Sequence, residues 1–284
     1  PGTLETELAY WRRRLAGISA PALPFAAPSV RRAEAASRGR SLPWNLGPEL
    51  SAAVRGFARE RRATVFCVLF SSFVILLSGL GAGTDITVAT PVARRDRREL
   101  QGLIGLLLDT VALRLDLSGG PDFEEVVSRA SGVLLEAWSH SAAPFGQVVE
   151  ELRRSSGGKE PPFPVAMTLE APEEPPAEVA GLNWRPEAFE RRVSEFDLIL
   201  SAIDAGDSIR GQWLARSRSF DAGGLESYRG AYESLLSTVL WDPSAPLAKL
   251  TQQLRSSVDR EEGERLKRLR EGRFSRARRK QVVG

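Results

Sequence analysis

The sequence predicts an α/β protein in which helices flank a mixed β-sheet. Segments with helical periodicity alternate along the 284 residues with shorter strand-like segments, an order typical of this class. An apolar stretch at 64–80 is interrupted by serines and falls short of the ~20 residues that cross a bilayer, so it predicts a buried core helix. Two strand-like segments, 195–203 and 208–216, are joined by Asp-Ala-Gly-Asp and predict a hairpin.

The first half of the chain predicts three helices and two strands, each from a local pattern. Leu8, Trp11 and Leu15 recur at helical spacing and predict the first helix. Gly-Pro followed by an acidic residue is typical of the start of the second helix, and Thr64 is placed to cap the third. The predicted elements are, in order, helix 5–16, strand 39–46, helix 47–62, helix 65–79 and strand 86–92.

The second half predicts further strands and helices around irregular loops. Residues 103–117 are apolar at first and alternate later, which predicts a strand that is buried at its start and half exposed towards its end. Pro144 is typical of a first helical position, and Ser141 or Ala143 would cap that helix. The remaining predicted elements are helix 122–138, a short strand at 165–171 inside the loops of 155–192, and helix 221–240.

The net charge gives no reason to expect nucleic-acid binding. The chain carries +3, but residues 265–284 hold nine Lys/Arg and one acidic residue, so residues 1–264 carry −5. A basic patch on the folded body, the usual mark of a nucleic-acid-binding domain, is therefore not indicated. The terminal block predicts either a solvated linker helix, from about residue 256 to 271, or a docking segment for an acidic partner.

The single cysteine and the single histidine restrict the chemistry further. Cys67 lies among apolar residues, so it predicts a small core side chain in a reducing cytoplasm rather than a disulfide or a reactive thiol. One histidine and one cysteine are too few for a zinc site. The N-terminal residues show no signal-peptide pattern. These features predict a cytoplasmic protein with no bound metal and no membrane segment.

Several short motifs along the chain follow one another in a recognisable order. They are "YW" at 10–11, "GTDITVATPVARR" at 83–95, "IGLLLDTVALR" at 104–114, "HSAAPF" at 140–145, "PFPVAM" at 162–167, "FDL" at 196–198 and "FD" at 220–221. Each motif is short, and the order of the whole series is what identifies it. In that order the chain resembles the C-terminal half of a nonribosomal peptide synthetase condensation domain.

The resemblance implies a chloramphenicol acetyltransferase-like sandwich, a helix-covered mixed sheet that forms one of the two lobes of the condensation fold. Residues 1–250 would be the C-terminal lobe, and residues 251–284 a basic helical tail or interdomain linker. Condensation domains form amide bonds between acyl donors and acceptor amines held on the phosphopantetheine arms of carrier proteins, in a tunnel between the lobes. The resemblance thus implies no directly bound cofactor, and it implies carrier proteins, the first lobe or neighbouring synthetase domains as partners.

The family's catalytic motif, His-His-x-x-x-Asp-Gly, cannot occur in a chain with one histidine. That motif belongs to the first lobe, where an imidazole acts on the acceptor amine because its pKa lies near neutrality. By resemblance, His140 corresponds to the histidine before Pro-Phe, and it predicts a residue at a helix end. Ala142 and Gly146 stand where the family often has acidic residues, so the sequence predicts no charged network around His140 and no catalytic residue in this chain.

Three residues are candidates for the substrate tunnel or the lobe interface: Asp109, Arg95 and Arg114. Asp109 stands where the family usually has Asn, and a carboxylate directly after three leucines is costly to bury unpaired. Arg95 or Arg114 is predicted to neutralise it. Arg94 also departs from the family, which often has Gly there. Asp109 is either a paired or solvent-facing residue at a strand bend, or a tunnel residue that no longer serves standard condensation.

Two functions stay open on the sequence alone. The chain is either part of an enzyme, completing an active site with a first lobe, or a non-catalytic module that recruits a carrier protein or a tailoring enzyme such as an iron/2-oxoglutarate hydroxylase. The C-terminal residues loosely resemble linkers that lead into such hydroxylases. The candidate docking residues are Lys267, Arg268, Arg270 and Arg273. A lone lobe would expose an apolar face, so dimerisation or poor solubility is expected.

Overall fold

Six strands form one mixed sheet in the computed structural model, which describes residues 3–21, 23, 39–95, 98–158, 163–171, 196–216, 220, 222–258, 260 and 263. The strands are β1 Gly39–Asn45, β2 Asp85–Ala93, β3 Leu108–Asp116, β4 Val165–Glu170, β5 Leu198–Asp204 and β6 Ile209–Arg216. Their order is β1-β6-β5-β4-β2-β3. Because β4 runs parallel to both β2 and β5 while the other neighbours are antiparallel, the predicted mixed sheet is confirmed.

Helices pack on this sheet and on one another. Helices α2, α5 and α7 contact α3, and α1 contacts α6. The predicted helices between residues 5 and 240 are present with ends displaced by one or two residues, α4 and the start of α8 at residue 247 are additions, and the predicted linker helix 256–271 lies mostly outside the described residues. The helices are α1 Leu4–Arg14, α2 Gly47–Glu60, α3 Val65–Leu77, α4 Arg98–Gln101, α5 Phe123–Ser139, α6 Phe145–Ser155, α7 Ala222–Trp241 and α8 over 247–258.

Helix α3 is the centre of the core, as the sequence predicts. Every residue of 67–77 is buried, and the Thr64 hydroxyl accepts a hydrogen bond from the backbone N–H of Cys67 at 3.1 Å, which caps the helix. Together with the following π-helical turn, Val65–Ala82 is long and apolar enough to cross a membrane, with a mean hydropathy of 2.3. Its burial inside the protein accounts for this composition, because a helix that is apolar all round needs covering on every side.

Strand β3 differs from its prediction at the N-terminal end. The strand begins at Leu108 because its neighbour β2 ends at the paired residue Ala93. Residues 103–107 therefore lie outside the sheet. Three large apolar side chains are exposed in this segment, and a fourth is exposed at the first residue of β3: Leu103, Ile104, Leu106 and Leu108. The prediction of a buried start and a half-exposed end is wrong, since the later residues Val111, Ala112, Leu113 and Leu115 are the buried ones.

The two ends of the α5–α6 connection also refine the prediction. His140 is the C-cap of α5, which confirms its expected place at a helix end. Pro144 is the N-cap of α6 with extended backbone angles, and its carbonyl accepts from the N–H groups of Gln147 and Val148. The predictions that Pro144 is the first helical residue and that Ser141 or Ala143 caps the helix are wrong, because Pro144 itself holds the N-cap position and no side chain caps α6.

Helix α8 crosses the expected boundary between residues 250 and 251. Its side chains at Leu250, Leu254 and Val258 are buried in the same core as the rest of the fold. The division into a 1–250 lobe and a 251–284 tail stays a prediction. The docking candidates Lys267, Arg268, Arg270 and Arg273 lie outside the described residues.

The predicted hairpin is β5–β6, and it contains an unusually close approach of two strands. Gly211 on β6 pairs with Ala202 on β5, and an ideal Cβ placed on Gly211 would lie 1.9 Å from the carbonyl oxygen of Ser201. The indole N–H of Trp44, on the neighbouring β1, donates to that same oxygen at 3.0 Å. The glycine thus leaves space that the Ser201 carbonyl and the Trp44 indole share.

Candidate functional site

The ends of β2 and β3 hold an ion pair between Arg94 and Asp109. The Arg94 guanidinium donates to Asp109 Oδ2, and the same nitrogen donates to the Ser141 carbonyl at 2.7 Å. Asp109 Oδ1 accepts from the backbone N–H groups of Thr110, at 2.8 Å, and Phe145, at 3.3 Å. The pair therefore links the end of the sheet to the turn that precedes α6. The prediction that Arg95 or Arg114 neutralises Asp109 is wrong, because Arg94 occupies that place.

Arg95 binds backbone carbonyls in the segment that follows β2. One guanidinium nitrogen donates to the carbonyls of Leu100 and Leu103, both at 2.9 Å, and the other donates to the Gly105 carbonyl at 3.3 Å. Arg95 lies at the same end of the sheet as Asp109, but it acts on a different segment. Consecutive arginines thus hold two separate loops, 141–145 and 100–105.

Arg114 lies at the opposite end of β3 from Asp109. Five residues along an antiparallel strand separate the two by about 17 Å. Arg114 pairs with Asp85, Nη2 to Oδ2 at 2.6 Å, and this hydrogen bond raises the pKa of Arg114 above its usual value. It also donates to the carbonyl of Ala16 at 2.8 Å, while Arg14 donates to the Arg114 carbonyl at 2.9 Å. The three predicted site residues therefore do not form one cluster.

A groove of about 750 Å³ surrounds Arg114, lined in part by Arg14, Arg129 and Asp116. Each of its arginines has partners within the fold. Arg129 donates to the carbonyls of Asp116 and Ser118 and pairs with Glu125, and Arg14 lies near Glu136. Arg14 and Arg129 thus bind backbone carbonyls of β3, the edge strand of the described sheet. Edge strands need such protection because their unpaired backbone groups could otherwise pair with another chain. The groove is therefore best explained as a protected sheet edge.

His140 has a carboxylate partner that the local sequence does not reveal. Its Nδ1 lies 2.9 Å from Oε2 of Glu7, a residue of α1 that is 5% exposed. The ring stacks on Tyr10 with centroids 3.7 Å apart, and the indole of Trp11 donates to the His140 carbonyl at 2.9 Å. The prediction of no charged network around His140 is wrong, because α1 supplies the charge from 133 positions away. The sequence does offer one signal of this contact: Glu7 lies on the same face of α1 as Tyr10 and Trp11, where an acidic residue needs a partner.

An exposed apolar loop lies next to the Arg94–Asp109 pair, where β2 ends and β3 begins. We define it as residues 103–108, in which Leu103 is 51% exposed, Leu106 is 86% exposed and Ile104 has no cover at all. Large apolar side chains clustered in this way usually mark an interaction site. Within the part of the chain that the structure describes, no group of three or more His, Cys, Asp or Glu residues is arranged to hold a metal ion.

Comparison with known proteins decides the family. A family model described as "Condensation domain" matches residues 2–259. The chain belongs to the condensation-domain family. The helix-covered mixed sheet of this condensation domain is accordingly the chloramphenicol acetyltransferase-like fold that the sequence predicts.

The condensation domain is similar to parts of much longer synthetases. It is 33% identical over 242 residues to the probable non-canonical nonribosomal peptide synthetase CymA of Salinispora arenicola, a match that covers 85% of this chain and 3% of that protein. It is 30% identical over 264 residues to the phosphinothricin tripeptide synthetase PhsB of Streptomyces viridochromogenes, covering 91% of this chain and 22% of that protein. The chain thus spans less than a quarter of either relative.

Solved structures of similar fold include the X-domain from teicoplanin biosynthesis. That structure matches with a TM-score of 0.76 and 26% identity, over 87% of this chain and 57% of the X-domain chain. A complex of the X-domain with OxyB matches with the same TM-score at 25% identity, over 87% of this chain and 55% of that chain. This chain therefore corresponds to a little more than half of a solved X-domain.

Proposed function

We propose that this chain is the C-terminal lobe of a nonribosomal peptide synthetase condensation domain, which completes a tunnel for two carrier-bound substrates when it packs on a first lobe. The observation that carries the proposal is the exposed apolar loop, in which Leu103, Ile104 and Leu106 face solvent at one end of the sheet. This chain matches 57% of the X-domain chain, and the unmatched remainder of that chain would include a second lobe. The loop is the surface on which that lobe would pack.

In this proposal the first lobe supplies the acid–base chemistry. Within these 284 residues adjacent histidines cannot occur, so the His-His-x-x-x-Asp-Gly motif must come from the other lobe. This lobe would form part of the tunnel wall. The loop and the Arg94–Asp109 pair lie together at one end of β2 and β3. The phosphopantetheine arms belong to the carrier proteins, and the complex works in the cytoplasm.

Amide formation tests this function. Two carrier proteins, loaded with an aminoacyl donor and an amino acid acceptor, are mixed with this chain alone or co-expressed with a condensation-domain first lobe, and the carrier-bound products are identified by mass spectrometry. We expect a dipeptide only when both lobes are present, and none when the second histidine of the first-lobe motif is replaced by alanine. Dipeptide formation by this chain alone would overturn the proposal.

A second candidate function is a non-catalytic module that recruits a tailoring enzyme. The observation that favours it is the similarity to an X-domain solved in complex with OxyB. Asp109, paired with Arg94, also departs from the Asn that the family usually carries at this position. Retention of a tailoring enzyme, an iron/2-oxoglutarate hydroxylase or an OxyB-type protein, on the immobilised chain without any first lobe would favour this module. Binding only to carrier proteins and to a first lobe would favour the condensation role.

A further inference from the structure

We propose that Arg95 is a positioning residue. It holds the backbone of the exposed apolar loop in a conformation in which the large apolar side chains face solvent and can contact the first lobe. This inference rests on the proposed function for the identity of the surface that covers the loop. The conformation itself is a property of this chain. Arg95 acts through the backbone of the loop, and its side chain is not proposed to touch a substrate.

The hydrogen bonds of Arg95 explain why the apolar side chains point outward. One guanidinium group donates to three carbonyls, that of Leu100 in α4 and those of Leu103 and Gly105 in the loop. A planar guanidinium has five N–H donors in a fixed arrangement, so it can hold several carbonyls at once. With the Leu103 and Gly105 carbonyls bound to Arg95, the side chains of Leu103, Ile104 and Leu106 face solvent.

Gly105 is the residue that lets the loop backbone adopt this conformation. Its φ angle is 154°, a value that residues with a side chain rarely adopt. A Cβ at Gly105 would meet no heavy atom within 4 Å, so any effect of adding one would come from the backbone conformation alone. Gly105 thus permits the backbone conformation in which Arg95 holds the loop.

This arrangement favours association because the loop is ordered in advance. A flexible loop loses conformational entropy when it is immobilised at an interface, and a loop that is already fixed avoids that loss. Four exposed apolar side chains in six residues would otherwise tend to collapse onto the protein's own surface. The occupant we assign is the first lobe of the condensation domain, because the X-domain chain of similar fold extends well beyond the 57% that this chain matches.

Limited proteolysis tests the positioning role without reference to activity. Thermolysin cleaves before leucine and isoleucine in mobile segments, and mass spectrometry locates each cut. We expect cleavage within 103–108 to become roughly tenfold faster in Arg95→Ala, because the loop loses two hydrogen bonds to a charged donor and α4, which precedes the loop, loses a third. Arg95→Lys, which keeps the charge but loses the planar fork, and Gly105→Ala are expected to accelerate it as well. Equal cleavage of the wild type and all three variants would overturn the inference.

Two matched arginine variants serve as controls. Arg94→Ala removes the neighbouring arginine, which binds the 141–145 turn, and should accelerate cleavage within 103–108 much less than Arg95→Ala does. Arg59→Ala removes an exposed arginine of α2 and should have no effect on either loop. If Arg94→Ala accelerated cleavage of the apolar loop as much as Arg95→Ala, the specific role of Arg95 would be wrong.

Binding to a co-expressed first lobe separates this inference from the proposed function. With a wild-type chain that binds, we expect Arg95→Ala to weaken the affinity roughly tenfold, through lost preorganisation. Unchanged affinity in a variant whose loop is cleaved faster would overturn the docking part of the inference. Failure of the wild-type chain to bind any first lobe would overturn the proposed function, while the proteolysis result would still decide whether Arg95 holds the loop.

Discussion

Nδ1 of His140 lies 2.9 Å from Oε2 of Glu7, across 133 residues of sequence. This contact joins the C-cap of α5 to the buried face of α1, and the stacked ring of Tyr10 covers it. The same turn is held from its other side by Arg94, which donates to the Ser141 carbonyl. The His140 turn is therefore fixed between α1 and the end of β2, and its role in this chain is structural.

Replacing His140 with alanine should destabilise the fold. The change leaves the Glu7 carboxylate buried without its donor, which costs about 1–3 kcal/mol. Glu7→Gln should cost less, because an amide oxygen still accepts a hydrogen bond from Nδ1–H. Urea unfolding followed by circular dichroism measures both, with the exposed Arg13→Ala on the same helix as the control. Equal stability of His140→Ala and the control would show that the contact contributes nothing.

The Arg94–Asp109 pair should show energetic coupling. Each single alanine variant removes the ion pair and also weakens the attachment of the 141–145 turn, so each should be less stable than the wild type. Because the two groups are in contact, the double variant should be less destabilised than the sum of the single effects, by about 1 kcal/mol. A double-mutant cycle in urea measures this energy. Additive effects would contradict the pairing.

Gly211 and Gly132 give opposite predictions for the same substitution. Gly211→Ala would place Cβ 1.9 Å from a backbone oxygen, so the strands must move apart, at a cost of about 2 kcal/mol or more. Gly132 lies inside α5, and a Cβ added there would meet nothing within 4 Å, so Gly132→Ala should stabilise by roughly 0.5–1 kcal/mol. Thermal unfolding measures both effects: the Tm of Gly211→Ala should fall and the Tm of Gly132→Ala should rise relative to the wild type. A stable Gly211→Ala variant would refute the close approach of β5 and β6.

Alkaline pH should destabilise the folded protein, because its buried tyrosine side chains ionise more readily in the unfolded chain. All three are buried, and burial raises the pKa of Tyr10 to about 12 and raises the pKa values of Tyr228 and Tyr232 above their usual range. In the unfolded chain these phenols lose their protons near pH 10. Their contribution to stability is therefore complete below about pH 10 and is lost as the pH rises from there towards 12.

Ultraviolet absorbance of tyrosinate, recorded together with circular dichroism, follows this transition. We expect both signals to change together, because burial keeps these phenols protonated in the folded protein at pH values where those of the unfolded chain ionise. Tyrosinate appearing below about pH 10, the ordinary phenol range, with the helical signal intact would contradict the burial of these residues.

Local periodicity is sufficient to predict most elements of the fold, whereas the site depends on contacts between distant residues. The apolar pattern of α3 and the cap at Thr64 are local, so both can be predicted. The start of β3 cannot, because it depends on where the neighbouring β2 ends. Glu7 and His140 meet only after α1 packs beside α5. Arg94 cannot be chosen over Arg95 as the partner of Asp109, because the direction in which each side chain leaves the end of β2 is set by the folded sheet.

Hydroxyl-radical footprinting of this chain, alone and co-expressed with a condensation-domain first lobe, tests the central claim most directly. The method reports the solvent accessibility of individual side chains. We predict strong protection of Leu103, Ile104 and Leu106 in the complex, while the exposed side chains of Trp138 and Trp241 stay as reactive as in the free chain. A complex in which the 103–108 loop remains fully reactive, or in which Trp138 and Trp241 are protected instead, would contradict the account.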